Sequence, residues 1–327
     1  VIAPSPDVFA LAVDLRLDMV PALRDTDRVV ETLPGGLTNS NFKISTGRGT
    51  FVARLSRPGA DLLAIDRHAE YRNSLAAAAS GVAPQVVDFV PEAGVLLIEW
   101  LPGRTLQPAD LEEPETLRAI AAACHRLHAG APFVSDFDMF EIADRYLRTA
   151  LDRKFRLPDR YLEFTAHWTR LRRVLSMDRS ARVPCHNDLL AANFIENQGT
   201  VALIDYEYSG NNDPSFELGN IWSESNLPDE HLDLLVDAYF GGHDESLIAR
   251  CRLQALVSQY GWTLWGVIQH AVSELDFDFW EWAMEKYRRA VITFDSPDFA
   301  ELLAAAHCSP ADRSRLSAPT VPKENKL

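Results

Sequence analysis

Cysteine is scarce in this sequence and unpatterned. Cys124, Cys185, Cys251 and Cys308 are the only four in 327 residues, and no two stand in a C-x-x-C spacing. They read as buried or free thiols in a reducing compartment, not as a disulfide framework or zinc site. Basic residues are also in deficit, 32 Lys and Arg against 47 Asp and Glu, for a net charge of −15. That argues against a nucleic-acid binder, where a clustered basic surface is expected. It favours a small cationic partner only weakly, because most acidic proteins use such charge for solubility. No run of about 18 apolar residues marks a membrane-crossing helix. Residues 1–20 lack the basic start and apolar core of a signal peptide, so a cytoplasmic protein is expected. The nine histidines form no ligand pattern; His125 and His128, three apart on an apparent helix, are expected to pack and cap. Neither G-x-x-x-x-G-K-[ST] nor G-x-G-x-x-G occurs.

What is present is enough chain, 47% of it hydrophobic, for two lobes with their own cores. Residues 6–23 read as a helical lead-in. Short strands are then expected at 29–33, 41–45 and 50–55, punctuated by Pro34-Gly35-Gly36 and Gly47-Arg48-Gly49. A helix over 61–80, stopped by Gly81, precedes strands at 85–90 and 95–100. Beyond Leu101-Pro102-Gly103 the pattern turns helical, at 114–129, 141–151, 159–175, 231–240, 245–274 and 278–293. A hairpin over 193–205 interrupts it. Residues 309–327 are polar and proline-bearing, so disorder is expected there. The layout is α+β: a β-rich N-lobe over 1–100 and a mostly helical C-lobe over 101–308.

The most informative stretch is His186-Asn187-Asp188, with Asn193 five positions after Asp188 and Asp205 closing the apolar run Val201-Ala202-Leu203-Ile204. An H-x-D-x-x-x-x-N spacing is that of a kinase catalytic loop. Phosphoryl transfer needs one carboxylate to receive the attacking hydroxyl and oxygen ligands to hold magnesium on the triphosphate. Asp188 suits the first task, Asn193 and Asp205 the second. A polar turn between core strands is the alternative for the loop alone; the placement of Asp205 argues against it.

Upstream, Gly35-Gly36-Leu37-Thr38-Asn39-Ser40 lies between two expected strands, where glycine backbone and Thr38, Asn39 and Ser40 donors suit phosphates. Such turns often only join strands. Arg54, in Phe51-Val52-Ala53-Arg54, occupies the strand position of the kinase V-A-I-K lysine, and Glu70 on the next helix is placed to pair with it. Glu99 and Leu101 fall at the expected hinge, whose backbone would bind adenine. The occurrence of these features in one order lifts them together.

These residues resemble the choline and ethanolamine kinases, within the aminoglycoside-phosphotransferase and protein-kinase-like superfamily. The resemblance runs from about residue 29 to 289. Its broad part rests on His186-Asn187-Asp188, Asn193 and Ile204-Asp205. Its narrower part rests on Gly35-Gly36-Leu37-Thr38-Asn39, on Ile204-Asp205-Tyr206-Glu207-Tyr208-Ser209 with Gly219-Asn220 and Glu224, and on Trp262-Thr263-Leu264-Trp265-Gly266 with Phe277. It implies a two-lobed kinase-like fold and ATP- and Mg2+-dependent phosphorylation of an alcohol attached to an ammonium group, giving phosphocholine and ADP. By it, Asp188 is catalytic, Asn193 and Asp205 bind Mg2+, and Glu207, Glu224, Trp262, Trp265 and Phe277 line the amino-alcohol pocket. Leu190 departs from the pattern, standing where some choline kinases carry a polar side chain. The chemistry agrees: a quaternary ammonium donates no hydrogen bonds, so aromatic faces, at ~0.5–2 kcal/mol each, and carboxylates must recognise it.

The rival readings are a kinase of the same superfamily acting on an aminoglycoside, thiamine, homoserine or amino sugar, and a non-catalytic pseudokinase. The tryptophans argue against the first, and intact Asp188, Asn193 and Asp205 against the second. Asp205-Tyr206-Glu207 is not D-F-G and no A-P-E follows, which argues against a protein kinase.

Overall fold

A computed structural model describes residues 6–57, 60–176 and 182–306. The expectation of disorder over 309–327 lies outside the described residues. Helix α1 (Pro6–Asp18) leads into strands β1 (Arg28–Leu33), β2 (Asn39–Thr46) and β3 (Gly49–Ser56), then helix α2 (Arg67–Ala79) and strands β4 (Val86–Val90) and β5 (Val95–Glu99). The strands form one antiparallel sheet in the order β1-β2-β3-β5-β4. Strand alternation decides which side chain faces what. Ala53 and Leu55 of β3 join Phe42, Ile44, Val95 and Leu97 in a core capped by Val13 and Leu17 of α1. Arg54, between them, points to the other face and meets Glu70 of α2. Asp66 caps α2, its carboxylate accepting the His68 and Ala69 amides.

The remainder is mostly helical. It comprises β6 (Arg104–Thr105), α3 (Pro114–His128), α4 (Met139–Asp152), α5 (Thr165–Leu175), β7 (Val183–Cys185), β8 (Phe194–Asn197), β9 (Thr200–Leu203) and β10 (Gly210–Asn212). Then come α6 (Pro214–Glu224), α7 (Asp229–Phe240), α8 (Glu245–Val272), α9 (Phe279–Asp295) and α10 (Phe299–Ala305). Helix α8 is buried on every side over most of its length, as a helix with apolar residues all round must be. Around it α4, α5, α9 and α10 build the main core. The hairpin β8–β9 packs with α3 in a second core. No described helix is long and apolar enough to cross a membrane.

Several elements escape the sequence reading, among them the two-residue strand β6 and helix α10. Helix α6 was not expected, although Asp213 caps it and Pro214 takes its first turn. Being buried almost throughout, it lacks the amphipathic stripe that marks a surface helix. The short β7–β10 ladder was also unanticipated. The helix expected over 159–175 begins later, at Thr165, after a 3-10 turn over Tyr161–Phe164.

Helices α8 and α9 cross at Gly266. A Cβ there would lie 2.7 Å from Ala283 Cβ and 3.0 Å from Trp282 Cε3, closer than packed carbons approach. Gly266→Ala should therefore lower stability by about 1–3 kcal/mol, read as a lower urea midpoint at unchanged slope. An unchanged midpoint would contradict this crossing.

Candidate active site

The loop from His186 to Asn193 follows β7 and is held by the polar face of α6. Glu217 accepts the His186 amide at 2.6 Å and the Asn187 amide at 2.7 Å, one on each oxygen. Asn220, one turn on, accepts the Leu189 amide through Oδ1 at 2.8 Å. Asn187 takes a left-handed φ of +69°, its side-chain amide donating to the Tyr208 carbonyl at 3.0 Å. His186 Nε2 lies 2.7 Å from the Ile204 carbonyl, which can only accept, so Nε2 carries the proton and Nδ1 accepts from the Asp188 amide. Burial lowers the basicity of this imidazole. Asn193 donates to the Asp188 carbonyl at 2.7 Å.

Asp188 is thus presented on a loop whose amides from His186 to Leu190 each have an acceptor. Burial pushes its pKa well above the usual carboxylate range; Asp205, Glu207 and Glu224 add to the rise and Lys286 opposes it. Behind the loop, His128 lies between Tyr239 Oη at 2.7 Å and Glu217 at 3.4 Å. The ligand atoms of His128, Cys185 and Glu217 fall within 4.8 Å of one another, a grouping the sequence spacing did not suggest. Both Glu217 oxygens are already committed to backbone amides.

On the sheet side, Arg54 bridges Glu70, at 3.1 Å, and Asp205. Burial would lift the Asp205 pKa, but the charge and hydrogen bond of Arg54 outweigh it and hold the group below its usual value. Arg67 pairs with Glu70 at 2.7 Å and with Glu207 at 3.1 Å. Thr38 Oγ1 and Asn39 Nδ2 donate to the same Glu207, at 2.7 and 3.0 Å. Burial, then the charges of Asp205 and Glu70, push Glu207 up to about 7 against the pull of both arginines. Gly35 and Gly36 have φ of +84° and +82°, and a Cβ on Gly36 would lie 2.6 Å from the Asn39 carbonyl oxygen; the turn needs glycine there. Ser40 continues into β2 opposite Leu55. Glu99 ends β5 exposed, with Leu101 half-buried beyond it.

The acceptor-side residues gather less completely. Trp262 and Trp265 are buried on α8; Trp265 donates to Tyr208 Oη at 2.8 Å, and Tyr208 meets Trp262 edge-on at 4.7 Å. Glu224 pairs with Lys286 of α9. Phe277 is 41% exposed and its ring meets Phe279 at 4.8 Å. Glu207, expected beside the amino alcohol, is engaged instead by the glycine-turn residues and Arg67. Sequence reasoning missed Arg67, Tyr208, Trp282 and Lys286. The signals available were the i, i+3 spacing of Arg67 and Glu70 and the i, i+4 spacing of Trp282 and Lys286.

A five-stranded sheet with a strand arginine and a helix glutamate, facing a loop with Asp188 and Asn193 ahead of Asp205, defines a protein-kinase-like phosphotransferase. Residues 30–232 match the choline/ethanolamine kinase family model, and the chain belongs to that family. Mouse ethanolamine kinase 1 is 29% identical over 266 residues, covering 69% of this chain and 72% of the mouse protein. The choline/ethanolamine kinase family protein from Mesorhizobium loti superposes with a TM-score of 0.79 at 28% identity, covering 91% of this chain and 99% of that one. Choline kinase LicA from Streptococcus pneumoniae shares the fold, at TM-score 0.71 and 23% identity over 91% of this chain and 99% of that one. The protein is an ATP-dependent small-molecule kinase, a phosphotransferase with an alcohol group as acceptor.

Glu217 is the anchor of the catalytic loop, so Glu217→Leu should cost about 2–5 kcal/mol by leaving two buried amides unpaired. Urea denaturation checks this; a loss below about 1 kcal/mol would contradict the anchoring role.

Proposed function

We propose that this kinase transfers the γ-phosphoryl group of ATP to the hydroxyl of choline or ethanolamine, giving the phosphorylated amino alcohol and ADP. The observation that carries this is the loop geometry that gathers Asp188, Asn193 and Asp205: Asn193 donates to the Asp188 carbonyl and accepts the Ile204 amide, while the charges of Asp205 and Glu224 both act on Asp188. Asp188 accepts the hydroxyl proton as the acceptor oxygen bonds to the γ-phosphorus and the bond to the bridging oxygen of ADP breaks. Arg54, Thr38 and Asn39, with the Gly35-Gly36 turn, orient the polyphosphate and offset its charge; the segment from Glu99 to Leu101 receives the adenine.

Asn193 and Asp205 offer the hard oxygen ligands that Mg2+ takes, and the Ile204 amide bonds the Asn193 carbonyl at 3.0 Å, keeping the two residues side by side. Arg54 lies on Asp205 as a cation would, so the residues fit the ion. When bound, Mg2+ neutralises charge on the triphosphate. Trp262, Trp265 and Glu224 supply aromatic faces and a carboxylate for an ammonium group, a lining that suits a small amino alcohol better than a polyhydroxylated sugar.

Asp188→Asn should cut kcat by about 10²-fold or more with the fold intact, measured as acceptor-dependent ADP release alongside thermal unfolding. Retention of most activity would refute the assignment. Because Asp188 works only when ionised and its pKa is raised, kcat/KM should fall with decreasing pH through a midpoint above about 4, the ordinary Asp value. An acid limb at or below that value would contradict the burial argument.

A further inference from the structure

The face of α6 that fixes the catalytic loop continues one turn beyond the loop. Glu217 and Asn220 hold loop amides. Glu224, four residues after Asn220, shares their face, and its charge acts on Asp188. Across from it, α9 presents Trp282 and Lys286, also one turn apart. The Lys286 ammonium donates to Glu224 Oε2 and lies 4.2 Å over the Trp282 ring, itself 5.0 Å from Trp265. Both members of the ion pair are 4% exposed. The second carboxylate oxygen, Glu224 Oε1, is shielded from solvent and has no hydrogen-bond partner.

This arrangement changes what the pocket offers an ammonium ion. A trimethylated nitrogen depends on aromatic faces, and the Trp282 face is already taken by Lys286. A protonated amine can supply the N–H that Oε1 lacks, and a buried acceptor left without a donor is costly.

Resting on the amino-alcohol reading above, we propose that Glu224, held by Lys286, selects acceptors by the N–H bonds on their ammonium group, so that the preferred substrate is a primary amino alcohol of the ethanolamine type and choline is disfavoured. Glu224 contacts the acceptor; Lys286 is a positioning residue.

The test is kcat/KM of the unmodified protein, at saturating Mg-ATP, for ethanolamine, N-methylethanolamine, N,N-dimethylethanolamine and choline. The expected result is a decline as methyls replace N–H bonds, carried mainly by KM, with choline at least about ten-fold below ethanolamine. Choline equal to or better than ethanolamine would overturn the inference and leave the amino-alcohol reading standing. No turnover with any of the four would overturn that reading itself. Lys286→Met, which frees Trp282 and releases Glu224, should move the choline-to-ethanolamine ratio about ten-fold toward choline, while Lys286→Arg restores the native order. A Met variant impaired equally on all four acceptors would show a purely structural lysine and refute the positioning role. The methylation series on the unmodified protein decides the main point if that variant does not fold.

Discussion

The hydrogen bonds from the catalytic-loop amides to Glu217 are the constraint on which the rest of the site depends. A loop with a left-handed Asn187 has no regular ladder to satisfy its amides, and buried amides must find acceptors. A helix running beneath the loop solves this: Glu217 and Asn220 lie along one face and take three of the four amides from His186 to Leu189, and the fourth, that of Asp188, goes to the His186 ring. The same helix ends on Glu224, which pairs with Lys286 of α9. The packing of α6 against α8 therefore positions both the Asp188 loop and Glu224, the proposed base and the proposed amine-binding carboxylate.

The second constraint is electrostatic. Glu70, Asp205 and Glu207 gather around Arg54 and Arg67, Glu224 pairs with Lys286, and the charges of Asp205, Glu207 and Glu224 all act on Asp188. Buried charges of this kind are tolerated only when paired and hydrogen-bonded. Arg54 and Arg67 tie the sheet and α2 to the segment after β9, so the nucleotide-side residues meet the helical part through ion pairs. Lys286 offsets charge on the acceptor side. A site held by excess carboxylate is suited to a metal-bearing polyphosphate and a cationic acceptor, both of which bring positive charge.

Much of this was legible in the sequence because it is local. The spacing of Asp188, Asn193 and Asp205 is a property of one loop and one hairpin, and the strand alternation that turns Arg54 toward Glu70 needs only a period of two. The sheet and most helices follow from hydrophobic patterning in the same way. What was not legible depends on burial and on long-range direction. Helix α6 is enclosed on all sides, so no amphipathic period announces it, and the cap at Asp213-Pro214 was the one local sign. Glu207 lies two residues from Asp205, and nothing in that spacing tells whether its side chain turns to the phosphates or the amine. Lys286 is the clearest case. Lysine is among the residues least often buried, so a lysine on α9 reads as solvated surface until Glu224 and Trp282 are seen around it.

The central claim is that this chain moves a phosphoryl group from ATP to the hydroxyl of a small amino alcohol. Phosphorus NMR of the purified protein with Mg-ATP and a mixture of ethanolamine, choline, thiamine, homoserine and kanamycin tests it most directly. The account predicts a phosphomonoester signal from an O-phosphorylated amino alcohol, appearing in step with ADP. Inorganic phosphate alone, or a phosphoester on one of the other acceptors, would contradict it.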